Sequence, residues 1–117
     1  AHTGVGAGRS IGEDPDQPRV GYECDGAPFP RDADGRARPA GGPDSDTPEG
    51  FLILGVAELS RAWPTRLGQG ATMGIFSVPA GGTVFNAATT DWAKLLELDP
   101  TVAQITHNVI SRLSSRA

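Results

Sequence analysis

The chain has 117 residues, enough for one domain, but sixteen glycines and ten prolines thin out its core-forming material, most of all in residues 1–50. Its net charge is −4 and its ten lysines and arginines are scattered, so a nucleic-acid interface is not expected. No apolar run reaches the ~20 residues of a membrane span, and the lone Cys24 excludes both an intrachain disulfide and any Cys/His zinc spacing.

Residues 1–18 are Gly-rich and aperiodic and predict a flexible lead-in. Gly4, Gly6 and Gly8 fall short of a dinucleotide fingerprint, since the spacing is wrong and no strand precedes them. From 19 to 29, Val20, Tyr22 and Cys24 alternate with Gly21, Glu23 and Asp25, which predicts a short extended segment with Glu23 and Asp25 on the face opposite the apolar residues. Residues 30–50 carry many breakers and no apolar period, and predict a long surface loop. "FLILGVAEL" (51–59) is a near-continuous apolar run, the pattern of a strand covered by helices on both faces. A polar connection follows, in which Trp63-Pro64 could fold a ring over a sheet end.

"ATMGIFSV" (71–78) and "TVFNAA" (83–88) predict two strands joined by the tight turn Pro79 to Gly82, an antiparallel hairpin. Two helices should close the chain. The first, about 91–98, is capped by Thr90 or Asp91; the second is capped by Asp99, with Pro100 at its first position. Val102, Ile105, Val109 and Leu113, flanked by Ala103, Thr106 and Ile110, form one apolar stripe and predict a core face. His107 lies beside that stripe with no second ligand at helical spacing, the position of a boundary residue.

"ATMGIF", "GGTVFNAATTDWAKLL" and "DPTVAQITHNVISRL", with "GYECDG" and "DTPEGFLILGVAEL" upstream, resemble the C-terminal region of the N,N-dimethylformamidase large (beta) subunit family. The resemblance covers about residues 19–115 and is most specific from Ala71 to Leu113. It implies an α/β fold, here a partial glutamine-amidotransferase-like sheet with a C-terminal hairpin and two C-terminal helices. More distantly it is similar to trehalose-utilisation-type proteins. It also implies an amidohydrolase that attacks a small amide with a metal-activated water, the iron being held by tyrosines and a glutamate. Tyr22 is the single tyrosine of this chain, so no cofactor is expected to be held by these residues alone, and iron is implied only for the complete enzyme. The chain, which opens without Met and without a signal-peptide h-region, is therefore expected to be a fragment or one chain of a split enzyme. Its partners would be the remainder of the large subunit or a companion subunit, with no nucleic acid and no membrane, in the cytoplasm.

Two groups of residues are candidates for chemistry. Glu23 and Asp25 are carboxylates beside a strand, and amide hydrolysis needs a group that moves a proton from water to the leaving nitrogen. Glu23 also falls in the part that resembles the family's glutamate-bearing segment. Asn86, Thr89, Thr90 and Asp91 gather small polar side chains where a strand ends, a place where open α/β sheets bind ligands and where helices are capped. Trp92 reads as an anchor between helix and sheet. Cys24 lacks the strand-to-helix elbow that a nucleophile needs, because "ECDGAPF" runs into a Pro-rich loop. A non-catalytic interaction or structural module is the alternative reading.

Overall fold

The computed structural model describes residues 24–42, 45–58 and 70–115. The lead-in 1–18, the alternation through Val20 and Tyr22, Glu23 and Trp63-Pro64 lie outside the described residues. Three largely apolar runs, each carrying β-branched residues, form strands β1 (Leu52–Glu58), β2 (Gly70–Ser77) and β3 (Thr83–Asn86). They make one sheet in the order β1-β2-β3, antiparallel throughout, and a C-terminal helix completes a mixed α/β arrangement.

The hairpin between β2 and β3 forms where the sequence places it. Gly81 N–H donates to the Val78 carbonyl at 2.9 Å, and Val78 N–H donates to the Gly82 carbonyl at 3.1 Å. Gly81 and Gly82 adopt φ of +97° and +100°, which residues with a Cβ avoid. That turn fixes the register Phe76↔Val84 and Gly74↔Asn86. Because facing partners in an antiparallel pair share a side, Phe76, Val84, Gly74 and Asn86 lie on one face, and Ile75 and Phe85 on the other.

β1 forms as expected, but not with helices over both faces: Leu52 is 45% exposed and Val56 37%. Parallel strands bring crossover helices with them, whereas antiparallel neighbours require none. A register shift between Ile53 and Gly55 sets two residues against one step of β2, a β-bulge that re-aims the strand. Phe51 is buried, with its ring lying on Gly74 and its centroid 6.2 Å from that of Phe76.

The opposite face is held by the C-terminal elements. Phe85 meets Trp92 edge-on at 6.1 Å, and the Trp92 indole N–H donates to Thr106 Oγ1 at 2.9 Å. Trp92 thus anchors sheet to helix. The first expected helix is a 3-10 helix, Thr90–Leu95, capped by Thr89 rather than by Thr90 or Asp91. Asp99 N–H already bonds the Leu95 carbonyl, which leaves too few residues before the next cap for an α-helix to repay its nucleation. Helix α1 (Pro100–Ser114) starts as the sequence predicts: Asp99 accepts from Thr101 N–H at 2.8 Å and Val102 N–H at 3.4 Å, with Pro100 in the first turn.

Val102, Ile105 and Leu95 are buried in this core. The stripe on α1 is covered only in its first half, for Ile110 is 62% exposed and Leu113 42%. Helical spacing assigns a face; whether anything reaches its far end depends on the rest of the fold. Among the described residues no helix is long and apolar enough to cross a membrane.

The described part of 30–50 contains no strand or helix, yet it is organised. An isolated bridge joins Arg31 and Ala37, Arg38 N–H bonds the Pro30 carbonyl and Ala40 N–H the Pro28 carbonyl. Asp32 ties the turn by accepting from Asp34 N–H, Arg36 N–H and Arg38 Nε.

Candidate functional site

Strand β3 stops pairing with β2 at Asn86↔Gly74, while β2 continues toward Gly70. The segment from Cys24 to Ala27 occupies the gap. Thr72 N–H donates to the Asp25 carbonyl at 3.1 Å, Asp25 N–H donates to the Ala88 carbonyl at 3.0 Å, and Cys24 bridges Thr89. Ala27 N–H donates to Thr72 Oγ1 at 2.7 Å, and Thr72 is fully buried. Gly26 is required by this approach: a Cβ there would lie 1.8 Å from the Gly70 carbonyl oxygen. A segment some sixty residues away in sequence is thereby held against the end of β3.

Asn86 shapes the turn that leaves the strand. Its Oδ1 accepts Ala88 N–H at 3.0 Å, which fixes which side-chain atom is oxygen and leaves Nδ2 facing away. Among the described residues no hydrogen bond engages Asn86 Nδ2 or the Asp25 carboxylate, and no buried side-chain N or O lacks a partner, so both groups are reachable from solvent. Ala88 is 5% exposed and adopts φ +69°, a left-handed conformation that costs a non-glycine residue about 1–2 kcal/mol. Such strain persists only where the surroundings over-determine it, as the bonds from Asp25 and Asn86 do here.

The result is a hollow of about 400 Å³ lined by Cys24, Asp25, Asn86, Ala88, Thr89 and Thr90 among others. Four sequence candidates, Asp25, Asn86, Thr89 and Thr90, therefore meet in one place. Asp91 does not line it: its carboxylate pairs with Lys94 at 2.5 Å, and its N–H is capped by Thr89 Oγ1. Glu23 lies outside the described residues. Cys24 lines the hollow, but His107 sits exposed on α1 and lines neither space, so among the described residues the thiol has no imidazole base there.

A second, larger cleft of about 690 Å³ opens from the same two residues, Asp25 and Asn86, onto the sheet face bearing Phe51, Phe76 and Val84. Its rim includes Asp46, and no described lining residue of either space is Lys, Arg or His. Among the described lining residues an anionic ligand would meet only like charge. Sequence reasoning missed this cleft, Gly26 and Ala88. The hairpin register that aligns Phe76 with Val84 was available in "SVPAGGTV"; the seating of Phe51 over Gly74 was not. Among the described residues no group of three or more His, Cys, Asp or Glu is placed to hold a metal ion. Comparison with protein-family models, with curated proteins and with solved structures gives no match.

Proposed function

We propose that this chain is the C-terminal part of a metal-dependent amidohydrolase resembling N,N-dimethylformamidase, acting on a small amide when joined to upstream parts of a large subunit or to a companion subunit. The observation that carries the reading is the meeting of Asp25 with Asn86, Thr89 and Thr90 in one hollow. A carboxylate and an amide donor can supply two functions that amide hydrolysis needs, a proton carrier and a donor to the developing oxyanion. Asn86 Nδ2–H donates to the substrate carbonyl oxygen, where negative charge develops. Water adds to the carbonyl carbon, and the Asp25 carboxylate takes its proton and returns it to the nitrogen as the C–N bond breaks. The products are a carboxylic acid and an amine.

The iron that the resemblance implies does not fit the described residues, because the hollow supplies one carboxylate, one thiol and otherwise neutral groups. In this reading its tyrosine and glutamate ligands come from upstream parts. The three-stranded sheet would be the end of a larger glutamine-amidotransferase-like sheet, and exposed Leu52, Val56, Ile110 and Leu113 would meet the remainder of the subunit. A cytoplasmic location belongs to the same reading. Those exposed residues also suit the rival, a non-catalytic interaction or structural module.

The test joins the chain to its upstream sequence and measures amine release from small amides. The joined protein is expected to hydrolyse them, and Asp25→Asn or Glu23→Gln to lower turnover by about 100-fold or more. The 117-residue chain alone should neither hydrolyse amides nor bind iron stoichiometrically. A joined, folded protein without amide hydrolysis would leave the module reading standing.

A further inference from the structure

We propose that the cleft over Phe51, Phe76 and Val84 binds a small organic cation with an apolar body, of the arylalkylammonium class. Recognition of such a ligand is independent of amide hydrolysis. The hairpin register builds the floor. Phe76 and Val84 face each other across β2 and β3, and Gly74 lies on the same side of the sheet. Gly74 has no side chain, so the Phe51 ring lies directly on the strand there; a Cβ would come within 2.2 Å of it. The Phe51 and Phe76 centroids are 6.2 Å apart with the rings tilted by 49°, and together with Val84 they make one apolar floor. At about 690 Å³, the cleft above it falls in the range of sites that hold small organic molecules.

The walls add charge of one sign. Asp25 and Asp46 both line the cleft, one from the segment 24–27 and the other from the segment 45–48. Both residues are exposed, and among the described residues neither carboxylate is engaged by an ion pair or a hydrogen bond. Charge acts here without a fixed contact geometry. A cleft of this volume is about 11 Å across, so both carboxylates act on a ligand at its centre from within the Debye length of about 10 Å. At about 7 Å in water, one carboxylate multiplies the affinity of a monocation by about two to three and divides that of a monoanion by the same factor. Two carboxylates therefore separate ligands of one shape and opposite sign by roughly twentyfold at low salt. Burial on the floor holds the ligand body whatever its charge, and the walls choose the sign.

The experiment is a nuclear magnetic resonance titration of the 117-residue chain with three probes that share a ring and a two-atom arm: 2-phenylethylammonium, 2-phenylethanol and phenylacetate. The cation should shift the backbone amides of Asp46, Phe76 and Val84. Affinity should fall from cation to alcohol to anion, with the ions about twentyfold apart at ~10 mM salt and only about twofold apart at ~0.5 M. Asp46→Asn, at an exposed position, should weaken the cation about two- to threefold and leave the alcohol unchanged. The double variant Asp25→Asn, Asp46→Asn should bring cation and anion to within about twofold of each other. Val84→Ser alters a residue already 40% exposed, so the fold should survive while all three probes weaken by similar factors. Equal affinity of cation and anion at low salt, sign selectivity that survives the double variant, or absence of shifts at the cleft amides of the folded chain overturns the proposal. Tighter binding by N-acetyl-lysyl-phenylalaninamide than by 2-phenylethylammonium overturns it as well, because the cleft would then be reading a peptide.

Discussion

Gly26→Ala is the substitution that most directly probes how the site is held. The added Cβ would lie 1.8 Å from Gly70 O and 2.9 Å from Gly70 C, both backbone atoms of β2 that cannot rotate aside. The segment must lift, and three hydrogen bonds depend on its position: Thr72 N–H to the Asp25 carbonyl, Asp25 N–H to the Ala88 carbonyl, and Ala27 N–H to Thr72 Oγ1. Each has a net worth of about 0.5–1.5 kcal/mol, and stranding a polar group of buried Thr72 costs about 1–3 kcal/mol. Allowing for partial relaxation, the loss should be about 2–4 kcal/mol, a large fraction of the roughly 5–15 kcal/mol that holds an ordinary domain. Urea unfolding measures it, and hydrogen exchange at the amides of Asp25, Ala27 and Thr72 locates it. Gly41→Ala is the control, since its Cβ meets nothing within 4 Å; it should stay within about 0.5 kcal/mol of the parent. A Gly26→Ala protein as stable as the control, with the Thr72 amide still protected, would refute the argument that close backbone approach holds Asp25 in place.

Other consequences are open to measurement. Asp99→Ala removes the cap from Thr101 and Val102 N–H and should cost about 1–2 kcal/mol in chemical unfolding; a change below about 0.3 kcal/mol would show the cap to be idle. Ala88→Gly relieves a left-handed alanine and should leave stability within about 1 kcal/mol, whereas Ala88→Val should lose at least about 2 kcal/mol; thermal melts of the two side by side decide it. The Arg38 side chain, then Arg36 and Asp34 N–H, hold the Asp32 carboxyl below its ordinary value of 3.8. With the folded value depressed, Asp32 contributes to the ordering of the 31–38 turn above the unfolded value, and that contribution is lost as pH falls through the folded one. A carboxyl titration at Asp32 with its midpoint at or above 3.8 would contradict this.

Local rules wrote much of this molecule into its sequence. Pro79 to Gly82 sets the hairpin because two consecutive glycines accept positive φ, and Asp99-Pro100 starts α1 because one supplies a cap and the other needs no N–H bond. Clustering of Asn86, Thr89 and Thr90 was legible too, since they are sequence neighbours at a strand end. Tertiary structure decided what neighbours cannot. The cover on β1 and on the far half of α1 depends on which elements arrive there, so an apolar run by itself did not reveal that Leu52, Val56, Ile110 and Leu113 stay exposed. Asp25 joined the site, and Asp91 left it, through contacts with no local signature: one segment wedged between β2 and Ala88, and one lysine a single helical turn away. Which of two nearby carboxylates faces a cavity is settled by long-range packing and charge pairing, and those depend on positions in space rather than on order in the chain.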